Sequence, residues 1–217
     1  MTIGRLENES DEYQSLRDKL QEAEKALRDQ RERVAALRRQ LPLDTATDDA
    51  VFEELREGER AQVRLSELFD DPSQALIIMH FMFGKKQTKP CPMCTMWADG
   101  YDGVMEHLRE RVSFVVLVAG DIESFTQYAS GRGWSHLRLV SAAESDLKRQ
   151  LGFEGDDGSQ WPGVSVFVRE ADGSLRHFYS QSALMGDDKG RGMDLLSPVW
   201  SYLDLTPEGR GDWFPGS

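Results

Sequence analysis

Apolar positions recur at a three-and-four spacing through the first part of the chain, at Tyr13, Leu16, Leu20, Ala23, Leu27, Val34, Leu37 and Leu41. Gln30 is the one polar member of that seam. Residues 10–41 contain neither Gly nor Pro and are rich in Glu, Gln, Arg, Leu and Ala, so they predict one long helix. Ser10 is placed to cap its start, and Pro42 forbids its continuation. A seam sustained over about four heptads suits two arrangements: an amphipathic helix lying on its own domain, or a coiled-coil pair joining two copies of the chain. The organisation expected is a helix over residues 1–44 and a domain over residues 45–217. Residues 43–60 are acidic and weakly periodic and read as a connector with a short helix.

The pattern then changes. Ala75 to Phe83 is a nearly continuous apolar run between the turn cluster Asp70-Asp71-Pro72-Ser73 and Gly84, as expected of a strand buried on both faces. Thr95 to Arg111 has helical spacing, with Gly100 and Gly103 as break points. Further strands are expected at Val112–Ala119, Leu137–Ser141, Gly163–Arg169 and Leu175–Tyr179, the last two forming a hairpin about Ala171-Asp172-Gly173. Helices are expected at Asp121–Ser130, Ala143–Leu151 and Leu195–Leu203. Strands alternating with helices predict an α/β protein with a parallel core, to which the terminal hairpin adds an antiparallel pair.

Charge and composition narrow the function. The 217 residues carry 26 basic and 38 acidic side chains, a formal charge of −12, which disfavours nucleic acid and anionic membrane surfaces as partners. No apolar run approaches the roughly 18–20 residues that span a bilayer, and the opening residues show no signal-peptide pattern, so a cytoplasmic location is expected. Two cysteines are no disulfide scaffold, but they are three apart.

Cys91-Pro92-Met93-Cys94 follows a buried strand and opens a helix. A thiol at a helix N-terminus has its anion stabilised by unpaired N–H groups and the macrodipole. Pro92 suits the first turn because its missing N–H is not needed there. Lys85, Lys86 and Lys89 are expected to lower the thiol pKa further. Cys91 is thus the candidate nucleophile and Cys94, one turn later, the resolving thiol. Two alternatives stand beside this one. Two inert buried cysteines are the plain reading. Zinc is suggested by His107, separated from Cys94 by 12 residues, but no second histidine follows at the finger spacing. His80 reads as a core histidine rather than a proton shuttle, and Trp97 and Tyr101 as core rather than stacking platforms. Asp99 is a weak candidate proton acceptor, and Arg210-Gly211-Asp212 a coincidental tripeptide. No glycine-rich phosphate loop, zinc-protease helix or serine elbow is present, so no cofactor and no metal is expected.

The chain resembles a bacterial family of thioredoxin-like proteins of unknown function, predicted to be dithiol–disulfide oxidoreductases and related to the peroxiredoxins. The resemblance rests on His80-Phe81-Met82-Phe83-Gly84, Cys91-Pro92-Met93-Cys94-Thr95-Met96-Trp97-Ala98-Asp99, Gly133-Trp134, Pro162-Gly163-Val164-Ser165-Val166-Phe167, Arg191-Gly192-Met193-Asp194 and Leu203-Asp204-Leu205-Thr206-Pro207. It covers roughly residues 10–210 and implies a thioredoxin-like fold, a central mixed sheet flanked by helices. In such a fold a cis-proline at the position of Pro162, next to Trp161, shapes the groove for an extended substrate segment. The implied partners are protein or small-molecule disulfides and a recycling thiol reductant. Lys85-Lys86-Gln87 departs from the family's Pro-x-Trp, and Leu184 to Gly190 lengthens a loop. A second implied activity is thiol peroxidase. Peroxiredoxins carry Pro-x-x-x-Thr-x-x-Cys, and Thr88 stands at the threonine position before Cys91, although Gly84 replaces the proline. A third reading is a redox-inert assembly protein that uses its N-terminal helix, and a homodimer through that helix remains open.

Overall fold

The structure is a computed structural model that describes residues 6–142, 144–186, 191–209, 211, 214 and 215. The chain divides into two compact units, residues 1–42 and 43–217.

The first unit holds helix α1 (Asp11–Arg38). The Ser10 hydroxyl accepts the Tyr13 N–H at 3.1 Å, and Asp11 and Glu12 in the first turn complement the helix dipole. No side chain of α1 is buried. Tyr13, Leu16, Leu20, Leu27 and Leu37 of the seam are each more than half exposed.

In the second unit, eight strands among the described residues form one sheet. They are β1 (Ala46–Thr47), β2 (Val51–Arg56), β3 (Glu59–Arg64), β4 (Ala75–His80), β5 (Val112–Val118), β6 (Arg138–Ser141), β7 (Gly163–Arg169) and β8 (Leu175–Ser182). Their order across the sheet is β1-β8-β7-β4-β5-β6-β2-β3, with β4, β5 and β6 parallel and the remaining pairs antiparallel. The helices are α2 (Pro92–Asp102), α3 (Met105–Arg109), α4 (Ile122–Arg132), α5 (Leu147–Gln150) and α6 (Pro198–Leu203), with 3₁₀ turns at Leu65–Leu68 and Arg191–Leu196. The fold is a mixed α/β sheet flanked by helices, as the alternation of strand and helix patterns predicted.

Period-two alternation along β4 and β5 divides the core between the two faces of the sheet. Met79, Val116 and Val118 face α2 and α4, packing with Phe81, Trp97, Phe125 and Trp134. Leu76, Ile78, Val115 and Leu117 face Phe52, Leu65, Leu68 and Phe167. Each such side chain stabilises the fold by about 1.5–3 kcal/mol through removal from water, which is why the central strands read as unbroken apolar runs.

Three local expectations are corrected. Residues 51–60, part of the stretch expected as connector and short helix, instead form the β2–β3 hairpin together with residues 61–64, turning at Glu57 (φ 53°) and Gly58 (φ 86°). The helix expected from Ala143 to Leu151 shrinks to the single turn of α5, and Ala143 lies outside the described residues. The long helix expected over Thr95–Arg111 ends at Gly103, which caps α2, and α3 restarts after Val104. Part of the segment from Leu184 to Gly190, together with Arg210 and Asp212, also lies outside the described residues.

Candidate active site

The sheet builds the site at the C-terminal end of β4. The chain leaves the strand through Phe81 and Met82, whose backbone is fixed on two sides: Phe81 N–H donates to Leu117 O at 2.9 Å, and Met82 O accepts the Cys91 N–H at 3.3 Å. That second bond brings the loop back to the strand, so α2 begins beside the strand end. Cys91 occupies the N-cap position of α2 with Pro92 following in the first turn. The Cys91 carbonyl accepts the Thr95 N–H at 3.0 Å and the Thr95 hydroxyl at 2.9 Å, which locks the first turn.

The two thiols differ sharply in environment. Cys91 is partly exposed and Cys94 is fully buried, and both are free. The thiol of Cys94 donates to the sulfur of Cys91, and this bond does most to pull the Cys91 pKa down to about 6 from an ordinary 9.0. Partial burial opposes the shift, and the N–H groups of Cys94 and Met93 assist it. Neither amide makes a full capping bond to the sulfur, but both dipoles point at it. Burial, the bond to Cys91 and the charge on Cys91 push the Cys94 thiol up, while the Met82 N–H and Lys148 act against that rise. One thiol is therefore an anion at neutral pH and its neighbour holds the proton.

Lys85, Lys86 and Lys89 are exposed and are not among the groups that shift Cys91. The lowered pKa comes from Cys94 and the helix amides. Thr88 is exposed on the same loop, and among the described residues neither it nor Lys89 hydrogen-bonds to Cys91. Pro162 is buried immediately before β7, where the β4–β7 register pairs His80 with Gly163. Pro162 thus stands beside the segment that leads from β4 towards the dithiol. The described residues contain no cis peptide bond, so Trp161–Pro162 is trans, unlike the cis-proline that the resemblance implies. Trp161 is 37% exposed, and its N–H donates to Phe153 O at 3.0 Å.

Other candidates resolve into structural roles. His80 is fully buried, stacked on Phe153 at 3.9 Å, with Nε2 2.8 Å from Ser165 Oγ. Burial holds its pKa well below the ordinary value, with Lys148 and His177 adding to the effect. Nδ1 has no partner among the described residues, which favours the tautomer that donates from Nε2 and leaves only a lone pair unmet. Gly163 makes this stacking feasible: a Cβ there would lie 2.3 Å from the Phe153 ring. Trp97 is fully buried and Tyr101 nearly so. Asp99 holds Trp134 Nε1 at 2.8 Å and Arg132 at 2.5 Å, so its carboxylate is already engaged. Among the described residues no group of three His, Cys, Asp or Glu side chains could hold a metal ion. No helix among them is long and apolar enough to cross a membrane.

Sequence reasoning missed Lys148. Its side chain is fully buried, and Nζ donates to Phe81 O at 2.8 Å. Burial brings its pKa down to about 7, while Cys94 and Glu154 pull the other way. Nothing in the local sequence marks this lysine, because an isolated Lys in a polar segment is ordinarily solvated.

The fold has relatives among solved structures. A Cys-to-Ser mutant of PrxQ from Xylella fastidiosa superposes with a TM-score of 0.50 at 10% identity, over 75% of this chain and 97% of that one. Peroxiredoxin Q from Xanthomonas campestris gives 0.49 at 14% identity, over 72% and 92%. The mitochondrial 2-Cys peroxiredoxin from Plasmodium falciparum gives 0.48 at 14%, over 81% and 100%. At 10% identity the likeness to PrxQ is one of fold alone. No curated protein matches the sequence. The model of a family described as bacterial protein of unknown function (DUF899) matches residues 5–215, and the chain belongs to that family.

Proposed function

We propose that the protein is a dithiol–disulfide oxidoreductase working through Cys91 and Cys94. The observation that carries this reading is the split between the two thiols, one partly exposed and ionised near neutrality, the other buried and protonated. The Cys91 thiolate attacks one sulfur of a substrate disulfide. An S–S bond forms to Cys91, the substrate S–S bond breaks, and the departing thiolate takes a proton from water. Cys94 then attacks Cys91, releases the second substrate thiol and leaves a Cys91–Cys94 disulfide. Two electrons pass to the substrate, and a thiol reductant returns them.

Pro162 and Trp161 form the flank on which a protein or small-molecule disulfide lies, with Trp161 the exposed member. Pro92 supports the first turn of α2, while Thr88 and Lys89 belong to the approach loop. The exposed seam of α1 supports pairing with a second copy of the chain. A free dithiol of this kind suits the reducing cytoplasm.

Two measurements test the reading. Alkylation of Cys91 should reach half its plateau rate near pH 6, and Cys94→Ser should accumulate covalent mixed disulfides that the wild type resolves. A rate that climbs only near the pKa of free cysteine, together with an empty trap, would sink the proposal. Rapid loss of hydrogen peroxide with no disulfide reduction would assign the dithiol to peroxide instead.

A further inference from the structure

We infer that Lys148 is a positioning residue for the resolving step, its ammonium favouring the Cys94 thiolate through the Phe81–Met82 peptide. The inference rests on the reading of Cys94 as the resolving thiol. One peptide group lies between the two side chains. Its carbonyl, Phe81 O, accepts from Lys148 Nζ at 2.8 Å, and its N–H, that of Met82, favours the anion of the Cys94 thiol. A cation on the oxygen of an amide polarises it and makes its N–H a stronger donor, an effect that low dielectric enlarges. The peptide is held for this purpose at Phe81 N–H by Leu117 O and at Met82 O by Cys91 N–H. Lys148 and Cys94 are both fully buried, so neither charge is screened by water.

The chemistry needs such a device. In the mixed disulfide Cys91 carries no charge, and a buried Cys94 must ionise before it can attack. The groups whose charges bear on this pair are Glu154 on Lys148, His80 on β4 with His177 beyond it, and Cys91 and Tyr101 on α2. His80 is neutral at working pH, so Lys148 is the cation of this group. With its titration near pH 7, the amine can hold a proton while Cys94 gives one up. The pair then passes from amine and thiol to ammonium and thiolate with no change in net buried charge. Cys94 attacks Cys91, the bond from Cys91 to the substrate sulfur breaks, and that sulfur leaves with the electron pair and is protonated.

The experiment uses the full chain and an aromatic disulfide reagent, dithiobis-nitrobenzoate, whose released thiolate absorbs visible light. The first equivalent released reports attack by Cys91, and the second reports resolution by Cys94. Lys148→Met should leave the first phase within about twofold and slow the second about tenfold at pH 7, the effect of roughly one unit in the Cys94 pKa. The pH profile separates charge from packing. In the wild type the second phase should level off above about pH 7, where the ammonium–thiolate pair keeps a constant share. In the variant it should keep climbing about tenfold per unit towards the thiol pKa. Lys148→Gln keeps a donor without the charge and should behave as Lys148→Met does. A second phase with unchanged rate and profile in Lys148→Met, or wild-type behaviour in Lys148→Gln, overturns the role of Lys148 while exchange stands. Absence of the first phase in the wild type removes exchange itself, and the inference with it.

Discussion

Glu54 on β2 and Lys148 on α5 are both buried ionisable side chains, yet their surroundings send them opposite ways. The Glu54 carboxylate, on a residue 5% exposed, accepts from Arg138 Nε at 3.0 Å, Arg138 Nη2 at 3.3 Å and Arg56 Nε at 2.5 Å. Burial alone would raise its pKa, but the two guanidiniums outweigh burial and hold it below the ordinary carboxylate value. Lys148 has one carbonyl for its ammonium and, among the described residues, no carboxylate in hydrogen-bond contact, so burial wins and the group titrates near neutrality. A fully partnered buried charge is fixed and serves structure. A half-partnered one responds to its neighbours, and this one adjoins a thiol. The difference lies in what each charge touches, since both are nearly or wholly cut off from water.

The largest effect should come from breaking the complete arrangement. Arg138→Met leaves Glu54 buried with Arg56 alone and should cost about 3 kcal/mol of unfolding free energy at pH 7, read from urea titrations. Removing the charge as well, in Glu54→Gln/Arg138→Met, should recover part of that loss. If the single variant costs less than about 1 kcal/mol, water already screens Glu54 and the contrast with Lys148 disappears.

Lys148 should behave in the opposite sense. Its folded pKa, about 7, lies below its unfolded value near 10.5, so between these limits the unfolded chain binds more protons and stability rises with pH. From about pH 7 to pH 9 this group alone contributes a rise of about 2 kcal/mol. Cys91, also lowered, adds a rise of the same sign, while Cys94 and Tyr101, both raised, oppose it only above their ordinary values. Lys148→Met should therefore flatten the profile over this window and be no less stable than the wild type at pH 7. Parallel profiles for the two proteins would mean that Lys148 is not a buried titrating group.

The same contrast explains what the sequence revealed. The strand, loop and helix around Cys91 were legible because apolar runs, Pro92 and the cysteine spacing are local signals that agree with the tertiary structure. The β2–β3 hairpin was not, because Glu54 occupies an inward position where the alternation calls for an apolar residue. Arg138, far off in the chain, joins Arg56 of the same strand to make that charge tolerable. The turn at Glu57-Gly58 was the one local signal available. Lys148 was hidden for the same reason: its meaning depends on Phe81 and Cys94, which lie far from it in the chain. The lysines of the approach loop are near Cys91 in sequence but are not among the groups that lower its pKa. Charge at an exposed loop is screened, and a thiol one helical turn away is not.

Asp121 supplies the third case, a charge in water, and should give the smallest effect. As the N-cap of α4 its carboxylate accepts the Ser124 N–H at 2.8 Å, and it also meets Arg60 at 2.5 Å, where Glu123 and Glu53 crowd the same guanidinium. The Ser124 N–H does most to lower its pKa to about 2, ahead of Arg60. Asp121→Ala should cost about 1 kcal/mol, the value of a cap. Asp121→Asn keeps an oxygen for the Ser124 N–H and gives up only the ion pair, so thermal melting should place it close to the wild type. If Asn were as damaging as Ala, with the damage growing at low salt, the exposed pair with Arg60 would carry the energy. Charge would then matter at this surface as it does inside, and exposure would no longer separate Asp121 from Glu54.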